Sequence, residues 1–90
     1  MAQIIKTDGY IIESEPKNGS DYQLEELQAI VSGFIEVVPI GEKHLMVVNE
    51  EGKLKGLGIN HVATAIFNKS YRGYDVVVGD VLLCEVGQIK

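Results

Sequence analysis

Val47-Val48-Asn49-Glu50-Glu51-Gly52-Lys53-Leu54 decides the fold class, because an apolar strand runs into a turn and the chain reverses. Asn at the first turn position and Gly at the fourth suit a type I turn followed by a left-handed residue, the three-residue hairpin with a bulge at Gly. The reading is therefore antiparallel, with Lys53-Leu54-Lys55 as the returning strand. Upstream, His44-Leu45-Met46-Val47-Val48 forms the outgoing strand. Phe34-Ile35-Glu36-Val37-Val38 is another, closed off by Pro39 and Gly41. Downstream, Val76–Val78, the pair Gly79-Asp80 and Val81–Val86 predict a second hairpin with a two-residue turn. Near the start, Ile4-Ile5 and Tyr10-Ile11-Ile12 flank Asp8-Gly9, another turn dipeptide. The first run is short, so residues 1–9 read either as a hairpin arm or as a loose N-terminal extension.

Helices interrupt this pattern twice. Glu13 to Ser20 is a polar connector with Pro16 and Asn18-Gly19. Ser20-Asp21-Tyr22-Gln23 then suits a capping box, and Leu24, Leu27, Ile30 and Val31 recur at helical spacing until Gly33. This predicts one amphipathic helix over about 21–32. Asn60 can cap a short helical turn near 60–67 that carries Val62, Ala63, Ile66 and Phe67, and Lys69 to Tyr74 reads as loop. The expectation is an α+β fold: a mostly antiparallel sheet of about five strands with one helix on a face, in a single domain over 1–90. In Val81–Val86 both alternating sets are apolar, so each sheet face needs a cover. A second subunit is the simplest cover for the face without the helix, which predicts a homodimer or a higher homo-oligomer.

Composition narrows the function. Ninety residues at 46% hydrophobic fill one core, and a domain of this size buries only roughly 60% of its unfolded surface. The net charge of −5 is uneven, with three Lys against eight acids in residues 1–45 and five basic against five acidic residues in 46–90. With Arg72 its only arginine, such a chain repels phosphate backbones, so nucleic-acid binding through a basic face is not expected. The single Cys84 allows no internal disulfide and makes a thiolate cluster improbable. No apolar run has signal-peptide or membrane-spanning length, which points to the host-cell cytoplasm and no membrane partner.

Certain residues carry a family resemblance. The run Leu27-Gln28-Ala29-Ile30-Val31-Ser32-Gly33-Phe34-Ile35-Glu36-Val37-Val38, the run Asn49-Glu50-Glu51-Gly52-Lys53-Leu54-Lys55-Gly56-Leu57, then Asn60, Ala63-Thr64 and Val77-Val78-Gly79-Asp80 together resemble the family called domain of unknown function 3846. The resemblance covers roughly residues 10–86. It implies the fold and a setting, small proteins of phages and mobile elements, and it implies no reaction. The chain departs from the family pattern in a longer lead before the helix and in the Tyr71-to-Tyr74 loop.

Catalytic signatures are weak. His44 and His61 lie far apart with no Cys or carboxylate at metal-site spacing and read as surface or strand-end histidines. Cys84 sits in an apolar strand, where burial raises a thiol pKa and silences it. Glu50 and Glu51 at a turn tip point different ways in solvent. Gly56-Leu57-Gly58 lacks the third Gly and the strand-to-helix context of a dinucleotide fingerprint. No catalytic residues, cofactor or metal site are assigned. Two binding constellations remain. Tyr71, Arg72 and Tyr74 suit a nucleotide-type ligand, the guanidinium gripping phosphate and a ring stacking on a base, or else the tyrosines anchor the loop. Asn49, Lys53 and Asn60 are polar groups beside the turn and the short helix, or else a turn former and a cap. The expected function is a non-enzymatic accessory binding protein of phage or mobile-element counter-defence that sequesters a small nucleotide-type signal or occupies a host protein. The alternatives are a housekeeping interaction module and a small nucleotide-modifying hydrolase acting through His61 or Glu51.

Overall fold

In the computed structural model, residues 2–71 and 75–89 are described. Five strands form one antiparallel sheet in the order β2-β1-β5-β4-β3. They are β1 (Ala2–Ile5), β2 (Ile11–Ser14), β3 (Ile35–Ile40), β4 (His44–Asn49) and β5 (Val81–Glu85). Helix α1 (Leu24–Val31) follows β2, and helix α2 (His61–Ser70) lies between β4 and β5. The α+β expectation holds, with the sheet membership revised in several places.

The revisions have local causes. The turn at Asn49–Gly52 forms, with Gly52 N donating to Asn49 O at 3.2 Å and Glu51 N to Asn49 Oδ1 at 2.8 Å. No strand returns from it. Lys55 N, Gly56 N and Leu57 N bond back to Glu51 O, Lys53 O and Gly52 O, so the chain keeps coiling through these turns. Gly56 takes the left-handed conformation (φ +70°), whereas Gly52 is needed because a Cβ there would stand 2.7 Å from Val78 Cγ2. The hairpin partner of β4 is β3, reached through the three-residue loop Gly41–Lys43 with Gly41 at φ +68°. β3 also runs through Pro39, which an edge strand tolerates.

The second expected hairpin is likewise absent. Val76–Val78 is no strand. Val78 makes one isolated bridge with Ile59, and Asp80 bonds Thr7 N at 3.0 Å while pairing with Lys6 at 3.3 Å. β5 instead threads between β1 and β4 as the central strand, which is why both of its side-chain sets are apolar. Residues 2–5 are no loose extension. Ala2–Ile5 pairs on both sides, and Ile5 has no exposed surface.

Each sheet face is covered by a helix of the same chain. Leu27 and Val31 of α1 meet Ala2, Val47, Leu82 and Cys84, closed at one side by Tyr22. On the other face Ala63 of α2, with Val62, Ile66 and Phe67, meets Ile5, Met46, Val77 and Val81. The uncovered face that motivated a second subunit is thus filled intramolecularly. α2 is ten residues long, a full helix rather than a short turn, and it absorbs Lys69 and Ser70 from the expected loop.

Helix α1 begins later than expected. Gln23, not Ser20, is the N-cap, and Glu26 accepts from Gln23 N at 2.8 Å and from Lys17 N at 2.9 Å. Ser20 and Asp21 are held instead by Asn18 Oδ1, which accepts both backbone N–H groups in an Asx turn. The two backbone bonds, Gln23 first and Lys17 second, hold the Glu26 carboxyl below its ordinary 4.5. A depressed acid stabilises the fold above its unfolded pKa, and that contribution is lost as pH falls through the lower folded value. The urea midpoint of the native chain should therefore decline as pH drops below 4.5, and Glu26→Gln should flatten that decline. Parallel pH series of denaturation curves check this.

Candidate functional site

Of the six residues singled out as ligand-binding in two constellations, Asn49, Lys53, Asn60 and Tyr71 are among the described residues. Arg72 and Tyr74 lie outside the described residues. Asn60 is fully buried and spent on structure. Its Nδ2 donates to Ile5 O at 2.9 Å and to Gly79 O at 3.0 Å, while Oδ1 accepts from Ala63 N at 3.0 Å as the α2 cap. Asn49 is also buried, with Nδ2 donating to Val31 O at 2.9 Å and Oδ1 holding the turn. Both follow the cap and turn-former readings.

Lys53 and Tyr71 both line an open groove of about 460 Å³ on the α2 face. Val38, Met46 and Val48 of β3 and β4 line the sheet side, and Asp75 to Val78 with Phe67 line the helix side. Lys53 pairs with the exposed Asp75, whose carboxyl is held below its ordinary value chiefly by that bond and then by Val76 N. Tyr71 ends α2. Its ring stacks on Phe67 at a centroid distance of 4.7 Å and 24° between planes, and its hydroxyl donates to Pro39 O at 2.6 Å. The aromatic pair thus closes the groove between α2 and edge strand β3.

Phe67, Asp75 and Val76–Val78 were missed as groove residues. Phe67 and Tyr71 lie four apart on one helical face, a spacing that signals contact once α2 is known to reach Ser70. Asp75 gives no such signal. Twenty-two positions separate it from Lys53, and only the fold joins them. Among the described lining residues Glu36, Glu50 and Asp75 stand against Lys53, so the described lining carries an acidic balance.

The remaining chemical groups lie apart from one another. Glu51 stays in the turn beside Lys55 at 4.0 Å, and His61 is exposed at the start of α2. His44 is exposed at the start of β4. Among the described residues no three His, Cys, Asp or Glu side chains group as a metal site, and no helix is long and apolar enough to cross a membrane. Cys84 has no exposed surface, and burial, with Glu85 adding to it, pushes its thiol up to about 11.

An antiparallel sheet with one helix on each face and a groove at its β3 end defines a small α+β protein. The sequence model of the domain of unknown function DUF3846 matches residues 3–89, nearly the whole chain, and the protein belongs to that family. Comparison with the curated proteins and with the solved structures returns no match.

The raised Cys84 pKa sets an expected reactivity. Two units above the ordinary 9.0 cut the thiolate fraction about 100-fold near neutral pH, and burial adds to this. Reaction with a disulfide reagent at pH 8 should be at least about 100-fold slower in the native chain than in urea, as absorbance of the released thiol reports.

Proposed function

We propose that this protein is a non-enzymatic accessory protein of a phage or mobile element that acts by contact, its α2-face groove holding a segment of a host protein. The groove's composition supports this reading. Its floor is apolar, its described rim has three carboxylates against one ammonium, and that ammonium is already committed to Asp75. Such a surface suits an extended segment with apolar side chains and a basic one, and it repels a multiply charged phosphate. Counter-defence by occupying a host component fits the setting that the family resemblance implies.

A second reading keeps the nucleotide-type signal. Lys53 and the Phe67–Tyr71 stack face the same space, an ammonium for a phosphate and a ring for a base. It requires the ligand to displace Asp75 from Lys53 against the repulsion of Glu36 and Glu50.

Two measurements separate the readings. A photo-crosslinker placed at Leu54, a groove residue 88% exposed, should capture one host protein in the producing cell, and Glu36→Lys with Glu50→Lys should reduce that capture about tenfold. Titration calorimetry against cyclic and ADP-ribose-type nucleotides should give no heat. Heat that disappears in Tyr71→Ala transfers the function to the second reading. Neither a crosslinked protein nor any heat removes both.

A further inference from the structure

The two edges of the sheet are finished differently. On β3, Glu50 N donates to Phe34 O at 2.8 Å, so by alternation the backbone groups of Ile35, Val37 and Pro39 face away from β4. That edge is blunted at Pro39, which has no N–H and whose carbonyl is taken by the Tyr71 hydroxyl. On β2, Lys6 N donates to Tyr10 O at 2.9 Å, so Ile4/Ile12 and Ala2/Ser14 share the ladder. Ile11 and Glu13 then turn both N–H and C=O outward, and among the described residues nothing bonds these four groups.

This second edge keeps only two of the usual protections, its length of four residues and the charge of Glu13. β2 contains no Lys or Pro, its register with β1 is unbroken, and Tyr10, Ile11 and Ile12 are 70%, 50% and 48% exposed in succession. The helices pack elsewhere, α1 chiefly on β3, β4 and β5, and α2 on β3 and, through Ala63, against Ile5, Met46 and Val81, and no β2 residue belongs to either core cluster.

We propose that β2 is a self-pairing edge, on which a second copy of this chain docks antiparallel about a twofold axis through Ile12. In that register Ile11 of each copy exchanges both backbone bonds with Glu13 of the other, using all four outward groups. Ile12 meets Ile12, and Tyr10 faces Ser14, whose hydroxyl already bonds Tyr22 at 2.8 Å. Each Glu13 stands opposite an isoleucine rather than a second carboxylate. The across-sheet row Ile12–Ile4–Leu82–Val47–Val37 continues unbroken through the axis into the second copy. This self-complementarity selects a second copy over an unrelated strand. It concerns the sheet end away from the groove and stands or falls independently of the groove's occupant.

Sedimentation equilibrium of the whole chain between micromolar and millimolar concentration tests it. The mass should rise from one chain to two, and more readily at higher salt because each copy carries −5. Glu13→Pro deletes an N–H that serves no bond within the chain, so the fold should persist while association weakens at least about tenfold, the cost of the two interfacial bonds lost together, one from each copy. Ile12→Lys should do the same, and Val37→Pro on the opposite edge should leave association unchanged. Amide exchange gives a second readout, with the Ile11 and Glu13 protons slowed in concentrated samples only. A one-chain mass throughout, a dimer indifferent to both β2 variants, or one dissolved by Val37→Pro would overturn the proposal.

Discussion

Asn60 is a polar side chain with no exposed surface that bonds three separate segments: the end of β1 through Ile5 O, the approach to β5 through Gly79 O, and the first turn of α2 through Ala63 N. Its backbone adds two more ties, donating to Val77 O at 2.8 Å and accepting from Thr64 N at 2.9 Å. A buried amide is tolerable only when its hydrogen-bonding groups are satisfied, and here they are satisfied by groups that themselves have no water to turn to. The amide thereby locates α2 against the sheet and admits β5 between β1 and β4. Thr64 reinforces the same junction, its hydroxyl accepting from Val77 N at 2.9 Å.

Once β5 is central, the rest of the packing follows. A strand bonded on both sides and covered on both faces must be apolar throughout, and Val81, Leu82 and Cys84 have no exposed surface. The sheet needs a helix on each face, and the chain supplies α1 from one connection and α2 from the other. Both helices lean toward the β3 half, which closes the core there, makes the groove between α2 and β3, and leaves the β2 end bare. The groove and the bare edge are thus two consequences of one asymmetry.

Among the described residues the groove has an acidic rim above an apolar floor. Lys53 is drawn to Asp75 because the coiled turns after Asn49 bring it against the segment leading to β5, and the pair holds part of the groove wall in place. An exposed pair of this kind contributes little to stability. Its weight is in recognition, since it withdraws the one described ammonium from any ligand that does not outbid a carboxylate.

Short-range features were legible in the sequence. The Asp8-Gly9 hairpin, strands β3 and β4, the α1 stripe through Leu27 and Val31, the Asn60 cap and the buried character of Cys84 all follow from neighbours a few positions apart. Periodicity, turn chemistry and capping act over that range. Even there, the helix start shifted from Ser20 to Gln23, because Asn18 took Ser20 and Asp21 into its own turn. The sequence by itself determined an acidic α+β domain with an antiparallel sheet and one strand apolar on both sides. Only the tertiary structure decided what that strand pairs with, that Val76–Val78 wraps over α2's face instead of pairing with it, and that Lys53 and Tyr71 share a groove. Those outcomes depend on contacts between residues far apart in the chain, satisfied jointly by burial and by one shared amide, and no local spacing encodes them.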